Sequence, residues 1–458
     1  MEDEELMSTK RKRTIDMLVS GSHIVSMDDQ WTVIEEGSIA VDDGLILEVG
    51  KTEALQKKYQ PDQRLGEPGQ VVMPGLVNAH THAASVLFRG FGDDRNLEEW
   101  LTHFIWPAEA HFINPENIYS GTLLAMSEMI RGGTTAFMDM YFFEEEVARA
   151  AHDCGMRVVL GEGLFDEGGP LRVGIEENLA YSRHLLSTYA QDPLVSVAVQ
   201  PHTAFDVSAE NMVKAKALAD EFGAQFGLHA CETVAGVARV KGKTGLTPPR
   251  LLHEHGLLGE NVVLFHAVHL DDEEIKLLVE SDTKVVHCPD SNLKLGSGIA
   301  RVPDMLRMGM TVGLGTDGAA SNNDLNLWDE IQLATKLHRG YAQDPTAVSG
   351  RQAIYLATRG GAKALGLEEK IGSIQPGKQA DLILLDFDQP HLQPLYDVFS
   401  HLAFAVGRGD VRTTIVNGVP LMVEGKVQTF DEDALLGEIR ELGCSIKHWL
   451  EEQKRRYL

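Results

Sequence analysis

The sequence predicts an α/β fold: a (β/α)8 TIM barrel flanked by a small β-sandwich assembled from both chain ends. Three observations lead there. Between residues 71 and 320, short runs of Val, Ile, Leu and Ala alternate with helix-period segments; each run ends in a polar tip; and the flanking stretches alternate in period two. Near-continuous apolar strands separated by helices imply parallel strands buried on both faces. Eight such units favour a barrel over an open doubly wound sheet.

The elements follow in chain order. Residues 1–13 hold the basic run Lys10-Arg11-Lys12-Arg13 and are expected to be a disordered, solvated tail. Residues 14–70 and 375–430 alternate with turn signals, as in QADLILLDF (379–387) and VRTTIVNGVPLMVEGKV (411–427), where Asn417-Gly418 marks a hairpin. They are expected to combine into the sandwich. The barrel spans 71–374, with strands VVMPGLVNAHTH (71–82), GTTAFMDMY (133–141), MRVVLGEGLF (156–165) and VSVAVQPHTAF (195–205). Four more follow: QFGLHACET (225–233), VVLFHAVHL (262–270), TKVVHCPDSN (283–292) and MTVGLGTDGAA (310–320). Intervening helices include NIYSGTLLAMSEMIRGG (117–133) and SAENMVKAKALADEFG (208–223), the latter capped by Ser208 and stopped by Gly223. Residues 431–458 form a last helix with Leu435, Leu436, Ile439, Leu442, Ile446 and Trp449 on one face. Its expected place is against the protein's own body, with a homo-oligomer contact as the alternative.

Composition narrows the partners. The 458 residues carry 41 basic and 68 acidic side chains, a net charge of −27. Such a surface repels phosphate backbones and anionic membranes, which leaves small molecules as the expected partners. No stretch approaches the roughly 18 apolar residues of a membrane span, and residues 1–20 lack the order of a secretory signal. Cys154, Cys231, Cys288 and Cys444 form no CxxC pair, so neither a cysteine metal site nor a disulfide framework is expected, and a reducing cytoplasm fits.

The polar tips carry the chemistry. In order they are His80 with His82, Asp139, Glu162, His202, His229 with Glu232, His266, His287 and Asp317. In a barrel the carboxyl ends of the strands gather at one mouth, where the active sites of this fold lie. His80 and His82, two apart in an extended chain, project to one side. With His229 and Asp317 they offer three imidazoles and a carboxylate, a set suited to Zn²⁺ or another borderline divalent ion. Such an ion lowers the pKa of water from about 16 toward about 7. Glu232, three residues beyond His229, is placed to protonate a ring nitrogen during attack on the adjacent carbon. Asp317 is expected both to bind the ion and to pass the water proton to a departing amine. His266 is the candidate to orient the nucleophile, in preference to His269.

Several stretches together resemble the amidohydrolase superfamily: PGLVNAHTH (74–82), HACE (229–232), FHAVHL (265–270), HCPDSN (287–292) and GLGTDGAASNN (313–323). More narrowly, FRGFGDDRNLEEWLTHFIWPAEA (88–110) with GGTTAFMDMYF (132–142) resembles the methylthioadenosine/S-adenosylhomocysteine deaminases, in the branch that also holds guanine deaminases and triazine hydrolases. Relatives with two metals bridge them through a modified lysine on the fourth strand. VSVAVQPHTAF contains no lysine, so the resemblance implies one ion, Zn²⁺ first and Fe²⁺ or Mn²⁺ as alternatives. It also implies that His202 contacts substrate and that Glu109, beside Trp106 in IWPAEA, accepts the ribose hydroxyls. His287 is read as a substrate-contacting or supporting group. For a homocysteine carboxylate, GEGLFDEGGPLRVGIEEN (161–178) offers only Arg172, which favours methylthioadenosine, 5′-deoxyadenosine or adenosine as the purine nucleoside substrate. The alternative is another heterocycle: guanine, 8-oxoguanine, a pterin or an s-triazine. A non-catalytic barrel has no reason to keep so complete a ligand set.

Overall fold

The structure is a computed structural model that describes residues 12–167 and 169–457. Most of the expected tail therefore lies outside the described residues, but Arg13 already opens a strand and holds Asp42 Oδ2 at 2.8 Å.

Strands β1 (Arg13–Val25), β2 (Val33–Asp42), β3 (Leu45–Lys51), β4 (Tyr59–Leu65) and β5 (Gln70–Pro74) lead the chain. The apolar segment 71–82 is not one strand. It breaks at Gly75, and its first half, β5, pairs with β1 and with a strand near the C-terminus. The parallel strands begin with β6 (Leu76–Thr81) and continue as β7 (Thr134–Asp139), β8 (Arg157–Leu160), β9 (Gly163–Leu164), β10 (Val195–Val197) and β11 (Gln200–Pro201). After these come β12 (Phe226–Ala230), β13 (Val262–His266), β14 (Lys284–His287) and β15 (Val312–Leu314). The chain returns through β16 (Leu382–Asp386), β17 (Val411–Val416), β18 (Val419–Val423) and β19 (Lys426–Val427).

Ladders join β6, β7, β8 and β10 into one four-stranded parallel sheet and β12 to β15 into another, with β9 and β11 as a short pair. Two seams stand between the sheets. At one, Val199 bridges Phe226 and Thr203 bridges His229. At the other no ladder pairs β15 with β6 among the described residues; Asn78 spans it instead, accepting from Thr316 N at 3.0 Å and donating to Thr316 Oγ1 at 2.8 Å. A single closed eight-stranded ladder, as the sequence led us to expect, is thus not what the hydrogen bonds trace. Pro201 has no N–H to extend its strand. Along the strands, alternate residues serve two cores. Leu76, Phe137, Val158 and Leu264 join the large cluster, whereas Val77, Met138, Val159 and Phe265 join a second cluster with Ala362 and Leu365. Burial of both faces is what the apolar runs required.

Both chain ends share one nine-stranded sheet, ordered β19-β18-β17-β16-β5-β1-β2-β3 with β4 beside β1. Its ladders run continuously and do not by themselves divide it into two facing layers. Asn417 and Gly418, both at positive φ, make the β17–β18 turn. Ser208 Oγ accepts from Asn211 N, and Gly223 closes the helix Ala209–Phe222 in the left-handed region, as the signals required. The helix Glu432–Tyr457 lies on the helix Pro115–Arg131, with Glu432 accepting from Ser127 Oγ at 2.5 Å and from Arg131 Nη2 at 2.5 Å. Leu435 and Ile446 are buried, while Leu436 is exposed.

One buried ion pair fastens the nine-stranded sheet to the parallel strands. Arg157 on β8 gives two hydrogen bonds to Asp381, at 3.0 and 3.1 Å, and Asp381 also accepts Asn417 N at 2.8 Å. Removing one partner strands a buried charge. Arg157→Met is therefore expected to lower unfolding free energy by about 3–5 kcal/mol, measurable by urea denaturation.

Candidate metal centre and active site

His80 and His82 leave the end of β6 on the same side, and β12 and β15 bring His229 and Asp317 to meet them. His80 is fully buried, its ring stacked on Phe265 with centroids 3.9 Å apart. Asp317 Oδ1 stands 3.2 Å from His82 Nε2 and 3.5 Å from His80 Nε2, and His229 Nε2 is 3.3 Å from His82 Nε2. Two overlapping trios, His80–His82–His229 and His80–His266–Asp317, each bring their ligand atoms within 4.8 Å of one another. Gly315 permits the approach: a Cβ there would meet His80 Cβ and N at 2.9 Å.

Hydrogen bonds settle how these rings face. His82 Nδ1 lies 2.5 Å from the Met140 carbonyl and His229 Nδ1 2.9 Å from the His202 carbonyl. A carbonyl only accepts, so each neutral ring carries its hydrogen on Nδ1 and turns a lone pair inward at Nε2. Neither ring nitrogen of buried His80 has a hydrogen-bond partner. The inward nitrogens of His82 and His229 and the carboxylate of Asp317 therefore converge as acceptors beside His80, which is costly without a cation or a shared proton among them. The donor set fits a divalent ion of the zinc class. The same pull acts on protons. Burial alone would lower His82, but Asp317 outweighs it and raises His82 to about 9, whereas burial drives His80 down to about 3. Burial opposes ionisation of Asp317, yet the adjacent His80 and His82 rings prevail and hold its carboxyl well below the usual range.

Supporting groups aim the ligands. Asp317 Oδ2 accepts from Ser291 Oγ at 2.6 Å and Ser321 Oγ at 2.7 Å, leaving Oδ1 toward the histidines. His266 Nδ1 is 2.9 Å from Asn292 Oδ1, so its Nε2 is free to face the centre. Asp139 Oδ1 accepts Thr81 Oγ1 at 2.9 Å and Ala83 N at 2.7 Å, clamping both sides of His82. Cys231, His266 and Asp317 all adopt positive φ. Such conformations persist in non-glycine residues only where the surroundings over-determine them, and they gather at functional sites.

A cavity of about 140 Å³ opens at this centre. His82, His229, His266, Asp317 and Glu232 line its inner end, and Leu97, Leu101, Ile105, Trp106 and Glu109 form part of its wall. Burial holds the Glu232 carboxyl above its ordinary value, and Ser297 Oγ approaches it at 3.3 Å. Glu109 is buried and accepts Tyr141 Oη at 2.7 Å. His202 lines the cavity, stacks on Phe165 at 4.7 Å and bonds Asp206 through Nδ1 at 2.6 Å. His287 is placed differently. It is buried outside the cavity lining, its Nε2 3.3 Å from His338 Nε2. Arg172 lines a small neighbouring pocket with Glu162 and Asn178, not the main cavity.

Residues 71–421 match the model of the amidohydrolase family. The chain belongs to that family. A 5-methylthioadenosine/S-adenosylhomocysteine deaminase of Syntrophus aciditrophicus is 41% identical over 438 residues, 96% of this chain and 99% of the relative. A 5′-deoxyadenosine deaminase of Methanosarcina mazei is 40% identical over 428 residues, covering 93% of this chain and 97% of that one. The crystal structure of an adenosine deaminase from Xanthomonas campestris with bound zinc superposes with a TM-score of 0.94 at 36% identity, covering 96% of this chain and 100% of that chain. The fold is accordingly TIM-barrel-like, and this amidohydrolase is a hydrolase acting on C–N bonds.

Reading the sequence did not bring out Ser297, Asp206, Tyr141 or His338 as parts of the site. Asp206 had a usable signal, four residues after His202, and Ser291, Asn292 and Ser321 stand inside the motifs HCPDSN and GLGTDGAASNN. Ser297 and His338 had none, since only folding brings them near Glu232 and His287. Asp317→Asn is expected to weaken metal retention by more than the roughly 10–100-fold that losing an outer partner costs, whereas Glu232→Gln keeps the ion. Elemental analysis after gentle purification checks both.

Proposed function

We propose that this amidohydrolase is a metal-dependent deaminase that hydrolyses the 6-amino group of adenosine-type nucleosides, releasing ammonia and the inosine form. Its substrates are methylthioadenosine, S-adenosylhomocysteine, 5′-deoxyadenosine or adenosine. The observation that carries this reading is the single cavity lined both by His82, His229, His266, Asp317 and Glu232 and by Trp106 and Glu109. The relatives named for these nucleosides support it. In the same reading the two parallel sheets form a closed barrel of eight strands, and the nine-stranded sheet folds over as the sandwich beside it.

His80, His82, His229 and Asp317 would hold one Zn²⁺, with Fe²⁺ or Mn²⁺ as alternatives, and a divalent ion there makes water ionisable near neutral pH. Asp317 Oδ1 accepts the proton of the attacking water and hands it to the departing amine, which must leave as ammonia. Its Oδ2 is engaged by Ser291 and Ser321, while Oδ1, which also accepts Gly318 N at 2.8 Å, is the oxygen that faces the histidines. Glu232, whose carboxyl burial holds above its ordinary value, delivers a proton to the ring nitrogen beside the attacked carbon. His266, fixed by Asn292, orients the water. Glu109 accepts the ribose hydroxyls, Trp106 packs on the nucleoside, and His202, held by Asp206, contacts the purine. His287, paired with His338 outside the cavity wall, supports the strand end and does not touch substrate.

Metal-loaded protein is expected to release ammonia from at least one of the four nucleosides, and silence toward all of them overturns the assignment. Glu232→Gln lowers kcat by about 100–10,000-fold, the range for a lost general acid. Glu109→Gln raises KM for nucleosides by about 10–100-fold, as for a lost hydrogen bond to a charged group, and leaves any turnover of free adenine unchanged. Steady-state assays on both substrate types measure this.

A further inference from the structure

Trp449, near the end of the C-terminal helix, touches both ends of the segment that roofs the cavity. Its ring stacks on Phe91 with centroids 6.3 Å apart and on His111 at 5.7 Å, and meets Phe112 edge-on at 5.7 Å. Phe91 lies between Gly90 and Gly92, which have φ of 71° and 78°, a backbone that packing must hold in place. The carbonyl of Phe91 accepts Trp100 Nε1 at 2.8 Å, and Trp100 lines the cavity. His111 and Phe112 share the helix Trp106–Phe112 with Trp106 and Glu109. One aromatic side chain, from the far end of the chain, thus fastens the entry and the exit of the roof.

We infer that Trp449 is a positioning residue: it holds Trp106 and Glu109 in register over the site, and through them sets nucleoside binding. This rests on the reading of Glu109 as the ribose acceptor. Trp449 touches none of the metal ligands among its ring contacts and is itself only partly buried, so its loss leaves the ligand cluster intact. Glu109 and Trp106 hold the nucleoside at points away from the reacting carbon, and losing binding that is equal in the ground and transition states raises KM and leaves kcat unchanged.

The test uses the full-length, metal-loaded enzyme. Trp449→Ala is expected to raise KM for the nucleoside about tenfold with kcat within about twofold and bound metal unchanged. Trp449→Phe restores most of the affinity, because a smaller ring still stacks. Ile439→Ala, which loosens the same helix closer to its start, leaves KM unchanged. An unaltered KM in Trp449→Ala, or an equal rise in Ile439→Ala, overturns the inference. A second measurement needs no turnover: amide exchange in 91–112 quickens about tenfold in Trp449→Ala while that of 115–131 does not. If the deaminase reading fails, wild-type protein releases no ammonia but this exchange difference stands; if the inference fails, ammonia is released and the exchange difference is absent.

Discussion

Everything in this site follows from one electrostatic constraint: the inward nitrogens of His82 and His229 and a carboxylate oxygen of Asp317 converge at 3.2 to 3.3 Å. The backbone carbonyls of Met140 and His202 take the hydrogens that His82 and His229 could otherwise have turned inward. A folded chain tolerates such a convergence only where a cation or a shared proton supplies the missing positive charge. Much of the surrounding detail answers that demand. Gly315 brings β15 against His80, Asp139 clamps the residues on either side of His82, and two serines engage one oxygen of Asp317 while the other faces the centre.

The cavity divides its labour by environment. Its inner wall holds two acids of opposite temperament, Asp317 stabilised as a carboxylate by the histidines and Glu232 pushed toward its protonated form by burial. Its roof belongs to a different part of the chain, carries Glu109 and apolar side chains, and is braced by aromatic contacts instead of ladders. A rigid inner wall and a separately braced roof let relatives of one family keep the chemistry while the bound molecule changes.

The terminal sheet is part of the same economy of contacts. It does not reach the cavity, but Arg157 and Asp381 tie it to β8, and β5 runs straight into β6 across Gly75. Strand β6 therefore inherits its register from a sheet built by both chain ends, and His80 and His82 sit at the far end of that strand. The placement of His80 thus depends on residues separated from it by some three hundred positions.

The sequence alone determined what local chemistry dictates. Period two placed His80 and His82 on one side; apolar runs marked strands buried on both faces; Ser208 and Gly223 bounded their helix; and polar tips following apolar runs singled out the His80, His82, His229 and Asp317 cluster and Glu232. It could not decide what depends on distant neighbours. Residues 71–82 have a strand's composition throughout, and only pairing with β1 and β16 separates β5 from β6. His287 looks like its fellow strand-end histidines, yet it meets His338 and does not line the cavity. Ser297 beside Glu232, and Trp449 over the roof, lie 65 and more than 330 positions from what they serve. Local pattern encodes which face a side chain takes; which partner meets that face is fixed by packing, and packing has no signature along the chain.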